Sequence, residues 1–139
     1  MKTRLILLTA AIALSGCNNA MDSMPDPSPE QERAAQMAYE DLRDGKYDEF
    51  LAQLEPKLQA EFQNNEKIMK RFSRSIPQGE YKSKTIMRKN FEENNGKPSE
   101  YKVSYEIAYP KNLVQYDVSF DQPNGSTKIR NFNIQVFGE

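Results

Sequence analysis

Two hydrophobic periods divide this chain, one helical and one of two. Ser28-Pro29-Glu30-Gln31 opens the first region. Ser28 suits an N-cap, Pro29 the first helical position, and Gln31 closes a capping box. Ala34, Ala35, Ala38, Tyr39 and Leu42 follow at helical spacing, and Gly45 is placed to end the helix in a left-handed cap. Asp48 is read as the cap of a second short helix carrying Phe50, Leu51 and Leu54. Pro56 starts a third helix with Leu58 and Phe62 on one side. Asn64 or Asn65 caps a fourth, with Ile68, Met69 and Phe72 inward, and Pro77 and Gly79 end it.

Beyond Gly79 the period becomes two. A strand is expected from Tyr81 to Phe91, before Asn94-Asn95-Gly96. Tyr101, Val103, Tyr105, Ile107 and Tyr109 alternate with Lys102, Ser104, Glu106 and Ala108, the pattern of a half-buried strand. Val114, Tyr116, Val118 and Phe120 repeat it, and Asn124-Gly125 marks a tight turn. In the last strand Ile129 sits in one parity and Phe132, Ile134 and Val136 in the other. That switch predicts a β-bulge or a sharp bend near Arg130-Asn131. Helices first and an antiparallel meander second predict an α+β domain, its helices packed on a curved sheet of about four strands.

Ahead of this domain stands a different kind of segment. Lys2 and Arg4 precede an apolar run from Leu5 to Leu14, broken only by Thr9. A basic start, a short apolar run and small residues make a secretory signal, and the run is about half of the roughly 20 residues a spanning helix needs. Leu14-Ser15-Gly16-Cys17 resembles a bacterial lipobox. The resemblance implies cleavage before Cys17 and lipidation of that cysteine, hence a cell-envelope protein held on a membrane by acyl chains. Asn18 after it is compatible with the outer membrane, facing the periplasm. The domain boundaries expected are therefore 1–16 for the signal, 17–27 for the lipidated cysteine and a flexible tether, and 28–139 for the domain.

Composition narrows the chemistry. Removal of 16 of the 139 residues takes Lys2 and Arg4 away, and the formal charge goes from −1 to −3. That is too mild to imply nucleic acid. The chain has one cysteine and no histidine, so the commonest general base and metal ligand are missing. No metal, cofactor or catalytic residue is expected.

Charge is segregated along the chain. From Glu66 to Asn90 eight basic residues stand against two acidic ones, whereas Ser28 to Glu61 carries four against nine. Lys67, Lys70, Arg71 and Arg74 share one face of the fourth helix, away from Ile68 and Phe72. They are the candidate partner-binding residues, facing an acidic protein or anionic headgroups. Tyr101, Tyr105, Tyr109 and Tyr116 are the candidates for a pocket or a sheet surface. Asp117 has the wrong parity to join them.

The order of elements is similar to the nuclear-transport-factor-two-like, or cystatin-like, cone. Small bacterial lipoproteins of that superfamily combine a lipobox, a tether, a Ser-Pro-Glu helix start and Gly-x-Tyr-Asp, here Cys17, Ser28-Pro29-Glu30 and Gly45-Lys46-Tyr47-Asp48. The tryptophan common in the last strand of such domains is absent, with Phe132 in its place. The resemblance implies a bent sheet around the first helix. The expected function is a non-enzymatic, lipid-anchored module that binds another envelope protein, either protective, of the immunity or exclusion type, or an assembly accessory. The alternative is a small-ligand carrier or sensor using the cone cavity.

Overall fold

Ser28 caps the first helix as its sequence predicts. The Gln31 N–H donates to Ser28 Oγ and the Ser28 N–H donates to Gln31 Oε1, both at 3.1 Å. These bonds occur in a computed structural model that describes residues 23–93 and 95–138. Cys17 and the signal segment lie outside the described residues. Helix α1 runs Pro29–Arg43, about 22 Å at 1.5 Å per residue. Its end is a Schellman turn: Gly45, at φ 74°, donates to Leu42 O, and Lys46 donates to Asp41 O.

Three short helices follow, α2 (Tyr47–Ala52), α3 (Pro56–Gln63) and α4 (Glu66–Ser75). Asp48 does not cap α2. The N-cap is Lys46, without a side-chain bond, and Asp48 sits in the first turn, where its charge suits the positive end of the helix dipole. The Schellman turn hands the chain directly into α2, which leaves Asp48 two residues past the N-cap. Asn65 is the N-cap of α4, again without a side-chain bond.

Strands β1 (Ser83–Glu92), β2 (Glu100–Ala108), β3 (Asn112–Phe120) and β4 (Asn131–Gly138) form an antiparallel meander in that order. Among the described residues the chain is thus α+β, with four helices and a four-stranded sheet. Register places like with like on the inner face: Tyr101 opposite Phe120, Val103 opposite Val118, Tyr105 opposite Tyr116, Ile107 opposite Val114. Across the next pair, Val118 faces Phe132, Tyr116 faces Ile134 and Val114 faces Val136. The helices cover this face. Tyr39 of α1 lies against Tyr116, and Phe50, Phe62 and Phe72 gather with Phe132 at ring separations of 5.1–6.3 Å, within the 4.5–7 Å range of attractive aromatic pairs.

Three details depart from the expected pattern. The register shift falls in β1, between Ile86 and Arg88, rather than near Arg130-Asn131. Ile129 is not in β4 at all. It forms an isolated parallel bridge with Leu54, donates to Gln53 O and accepts from the Glu55 N–H. Its parity is therefore set by the α2–α3 linker and not by the sheet. Asn124-Gly125 falls in a tight turn as expected, closed by the Gly125 N–H donating to Gln122 O at 3.1 Å; the departure is that this turn does not join two strands directly. It lies within the ten-residue connection 121–130, where Asp121 Oδ1 accepts from the Gln122 and Ser126 N–H groups.

The same connection is anchored at both ends. Gln31, fully buried, donates to Gln122 O and Ser126 O, and its Oε1 also accepts from the Asn124 N–H. Arg130 grips Glu55 through two bonds of 2.9 and 3.0 Å and also donates to Ser99 O. The bidentate pair raises the Arg130 pKa further above its usual value.

Candidate functional site

Helix α4 turns its charges outward because its apolar residues have a core to meet. Met69 is buried, and Ile68 and Phe72 are half-buried against the aromatic cluster. Spacings of three and four residues then align Lys67, Lys70, Arg71 and Arg74 on the opposite side, and all four are exposed. Lys70 meets Glu66 at 3.4 Å, one turn earlier. The Arg71 guanidinium stands 6.0 Å from the Phe72 ring centroid, the outer limit of a cation–π contact. Lys67 and Arg74 have no ion pair among the described residues. Arg74 suits the last turn, where the helix dipole is negative. The helix is fixed by Ser73 Oγ donating to Arg43 O.

Of the other four cations of the 66–90 segment, Lys82 and Arg88 are exposed but lie outside α4, just before and on β1. Lys84 and Lys89 point inward from β1. Lys84 donates to Gln36 Oε1 at 2.7 Å and stands 4.5 Å over the Tyr105 ring. Burial pushes its pKa down. Lys89 donates to Met24 O and Asp26 Oδ1, and its side chain is 8 % exposed. The cationic face on α4 is thus four residues and not eight.

The tyrosines are interior. Tyr101, Tyr105, Tyr109 and Tyr116 are all buried. Tyr101 donates to Pro25 O, Tyr116 donates to Ala35 O at 2.8 Å, and the Tyr109 and Tyr39 hydroxyls share a 2.7 Å bond. Among the described residues Tyr105 Oη has no hydrogen-bond partner. Burial raises the pKa of each, Tyr101 to about 12. Only Tyr101 and Tyr116 of the four thus donate to main-chain carbonyls. Asp117 lies on the outer face beside Gln115, whose Nε2 is 3.3 Å away. The structure does not bring Asp117 and the tyrosines together.

Surface hollows lie elsewhere. One of about 310 Å³ crosses the outer face of the sheet, bordered by Lys102, Asp117, Ser119 and Asn133. Another of about 270 Å³ is set between α3, α4 and the start of β4, with Leu58, Phe62, Ile68 and Phe72 as its apolar wall and Glu61 and Arg71 as its charges. It adjoins the α4 cations through Arg71. Sequence reading missed it because no local pattern places Asn131 and Phe132 beside a helix some sixty residues earlier. Among the described residues no three metal-ligating side chains converge, and no helix is long and apolar enough to cross a membrane.

The chain matches no family model, curated protein or solved structure.

Proposed function

We propose that this chain is a lipid-anchored envelope module, not an enzyme, that binds an acidic surface of another envelope protein through α4. In this reading Cys17 carries the lipid, the chain faces the periplasm from the outer membrane, and the domain is a cystatin-like cone closed over α1. The observation that carries it is the exposed quartet Lys67, Lys70, Arg71 and Arg74, of which, among the described residues, only Lys70 has an acidic neighbour within 4 Å. A protective or assembly role fits a module whose activity is contact.

The course of the chain into the domain also supports a short reach. Met24 and Asp26 are tied to Lys89, Pro25 is tied to Tyr101, and Pro27 and Ser28 are buried. The link from Cys17 to Met24 is then seven residues, roughly 25 Å when fully extended. The carrier alternative gains no support, because the tyrosine side chains occupy the space between α1 and the sheet.

The test reverses three exposed charges, Lys70→Glu, Arg71→Glu and Arg74→Glu. The reading expects that a partner captured from solubilised envelope by the wild-type chain is lost, while the melting temperature is kept. Equal capture by the variant overturns it. Binding to vesicles of anionic phospholipid, abolished by the same substitutions, would instead make the target a lipid surface. For the anchor, intact-mass measurement should find diacylglyceryl on Cys17, and Cys17→Ser should release the protein from membranes.

A further inference from the structure

The two edges of the sheet are unlike, and the difference points to a partner for one of them. An edge strand offers unpaired N–H and C=O groups to any other strand. β1 is defended in three ways. It carries a register shift between Ile86 and Arg88, it turns Lys84 and Lys89 inward, and Arg88 is exposed on it. All are devices that discourage edge pairing. β4 has none of them. Asn131–Gly138 contains no charged residue and no proline, and it pairs with β3 over eight residues without a shift. Among the described residues, no hydrogen bond beyond that ladder reaches the β4 main chain.

We propose that β4 pairs antiparallel with β4 of a second copy of this chain, about a two-fold axis at Ile134, to make an eight-stranded sheet. The occupant is argued from the strand's own sequence. Phe132-Asn133-Ile134-Gln135-Val136 has the same apolar and amide order read in either direction. A two-fold interface needs such self-complementarity. Keeping both inner faces on one side sets the register. Ile134 faces Ile134, Phe132 faces Val136, Asn133 faces Gln135, and Asn131 faces Phe137. Apolar residues meet apolar ones on the inner face, amide meets amide at the centre of the outer face, and no charge opposes its like. Phe137, 50 % exposed in the single chain, and Val136, half-buried, both gain cover. Val136 of the second copy comes beside Phe132, at the mouth of the hollow between α3 and α4. A charged edge would be expected if β4 served a partner of opposite charge, and β4 has none.

Seven paired residues a side, Asn131 to Phe137, bury less than the roughly 1,600 Å² of a standard interface. The dimer is therefore weak in dilute solution and, on the proposed reading of Cys17 as a lipid anchor, favoured by the high local concentration of chains confined to one membrane.

The test uses the full-length chain in mild detergent, by sedimentation up to about 1 mM, a span that covers interfaces of this size. Three samples are compared: wild type, a double variant Asn133→Lys with Gln135→Lys, and a double variant Asn133→Glu with Gln135→Glu. Wild type should show a monomer–dimer equilibrium. Each double variant alone should dimerise at least tenfold more weakly, because two like-charge pairs oppose each other across the axis. Mixing the two variants should restore dimers, which also shows that both are folded. Should either fail to fold, copies bearing Asn133→Cys and Gln135→Cys should form an intermolecular disulfide only when mixed. A wild-type chain monomeric throughout overturns the proposal, as it would if β4 served a different protein. So does a dimer indifferent to the charges, or a mixture that stays monomeric.

Discussion

Two hydroxyls on facing strands have opposite fates. Tyr105 and Tyr116 stack at a 5.9 Å ring separation, and both are buried. The Tyr116 hydroxyl donates to Ala35 O, whereas the Tyr105 hydroxyl has no partner among the described residues. A buried hydroxyl without a partner carries its desolvation cost uncompensated, about 1–3 kcal/mol by mutational data. Tyr116→Phe should lower unfolding free energy by about 1 kcal/mol, a typical hydrogen bond. Tyr105→Phe should be neutral or raise it by up to about 1 kcal/mol. Urea titrations of the two variants check the contrast, and a larger loss at Tyr105 would show that its hydroxyl is bonded in solution. The burial of these tyrosines was legible in the sequence, since a period of two specifies which residues share a face. Which hydroxyl would find a carbonyl was not, because Ala35 reaches Tyr116 only once α1 is laid across the sheet.

At the scale of elements, what the sequence predicted depended on how locally each feature is determined. The capping box of α1 needs only Ser28 and Gln31, and it forms as read. The same Gln31 is also the pin that holds the 121–130 connection against α1, through Gln122, Asn124 and Ser126. Nothing within a helical turn of Gln31 announces contacts more than ninety residues away. The β1 register shift was equally hidden, since Ile86-Met87-Arg88 reads as a strand in either parity. Charge counts saw eight cations between Glu66 and Asn90 but carried no direction, so Lys84 and Lys89 were summed with the exposed four. The exposed four themselves were legible, because helical spacing alone puts them on one face. Gln31→Met keeps the size of the side chain but takes the partner from two part-buried carbonyls, of Gln122 and Ser126, and from the Ser28 and Asn124 N–H groups. It should cost about 2–4 kcal/mol, at about 1–3 kcal/mol for each unsatisfied group with partial relief by water. Hydrogen exchange should show the 121–130 amides opening sooner while those of β2 and β3 keep their relative order. Uniform loss of protection would make Gln31 a part of the core and not a pin.

At the scale of the whole molecule, the absence of histidine and the excess of buried tyrosine set where pH acts. Tyr39, Tyr101, Tyr105, Tyr109 and Tyr116 all have folded pKa values above the ordinary 10, chiefly because burial disfavours the phenolate. A raised folded pKa means that, above pH 10, the unfolded chain releases protons which the folded chain keeps. Stability from these groups is therefore complete below pH 10 and falls as pH rises toward the folded values, of which the Tyr101 value is about 12. Lys84 acts in the opposite sense, since burial lowers its pKa and deprotonation relieves the folded state. It is one group against five. Each tyrosine in its window contributes a slope of about 1.4 kcal/mol per pH unit. Chemical denaturation between pH 6 and 11 should thus show no histidine-linked step near neutrality and a steep loss beginning at about pH 10. In a Tyr47→Phe, Tyr81→Phe background, where only the five buried phenols report, ultraviolet absorbance should place phenolate formation together with unfolding and not before it. Ionisation of these tyrosines in a chain still folded would mean that water reaches the interior. The space between α1 and the sheet would then be open to a small ligand, and the carrier reading would displace the one proposed.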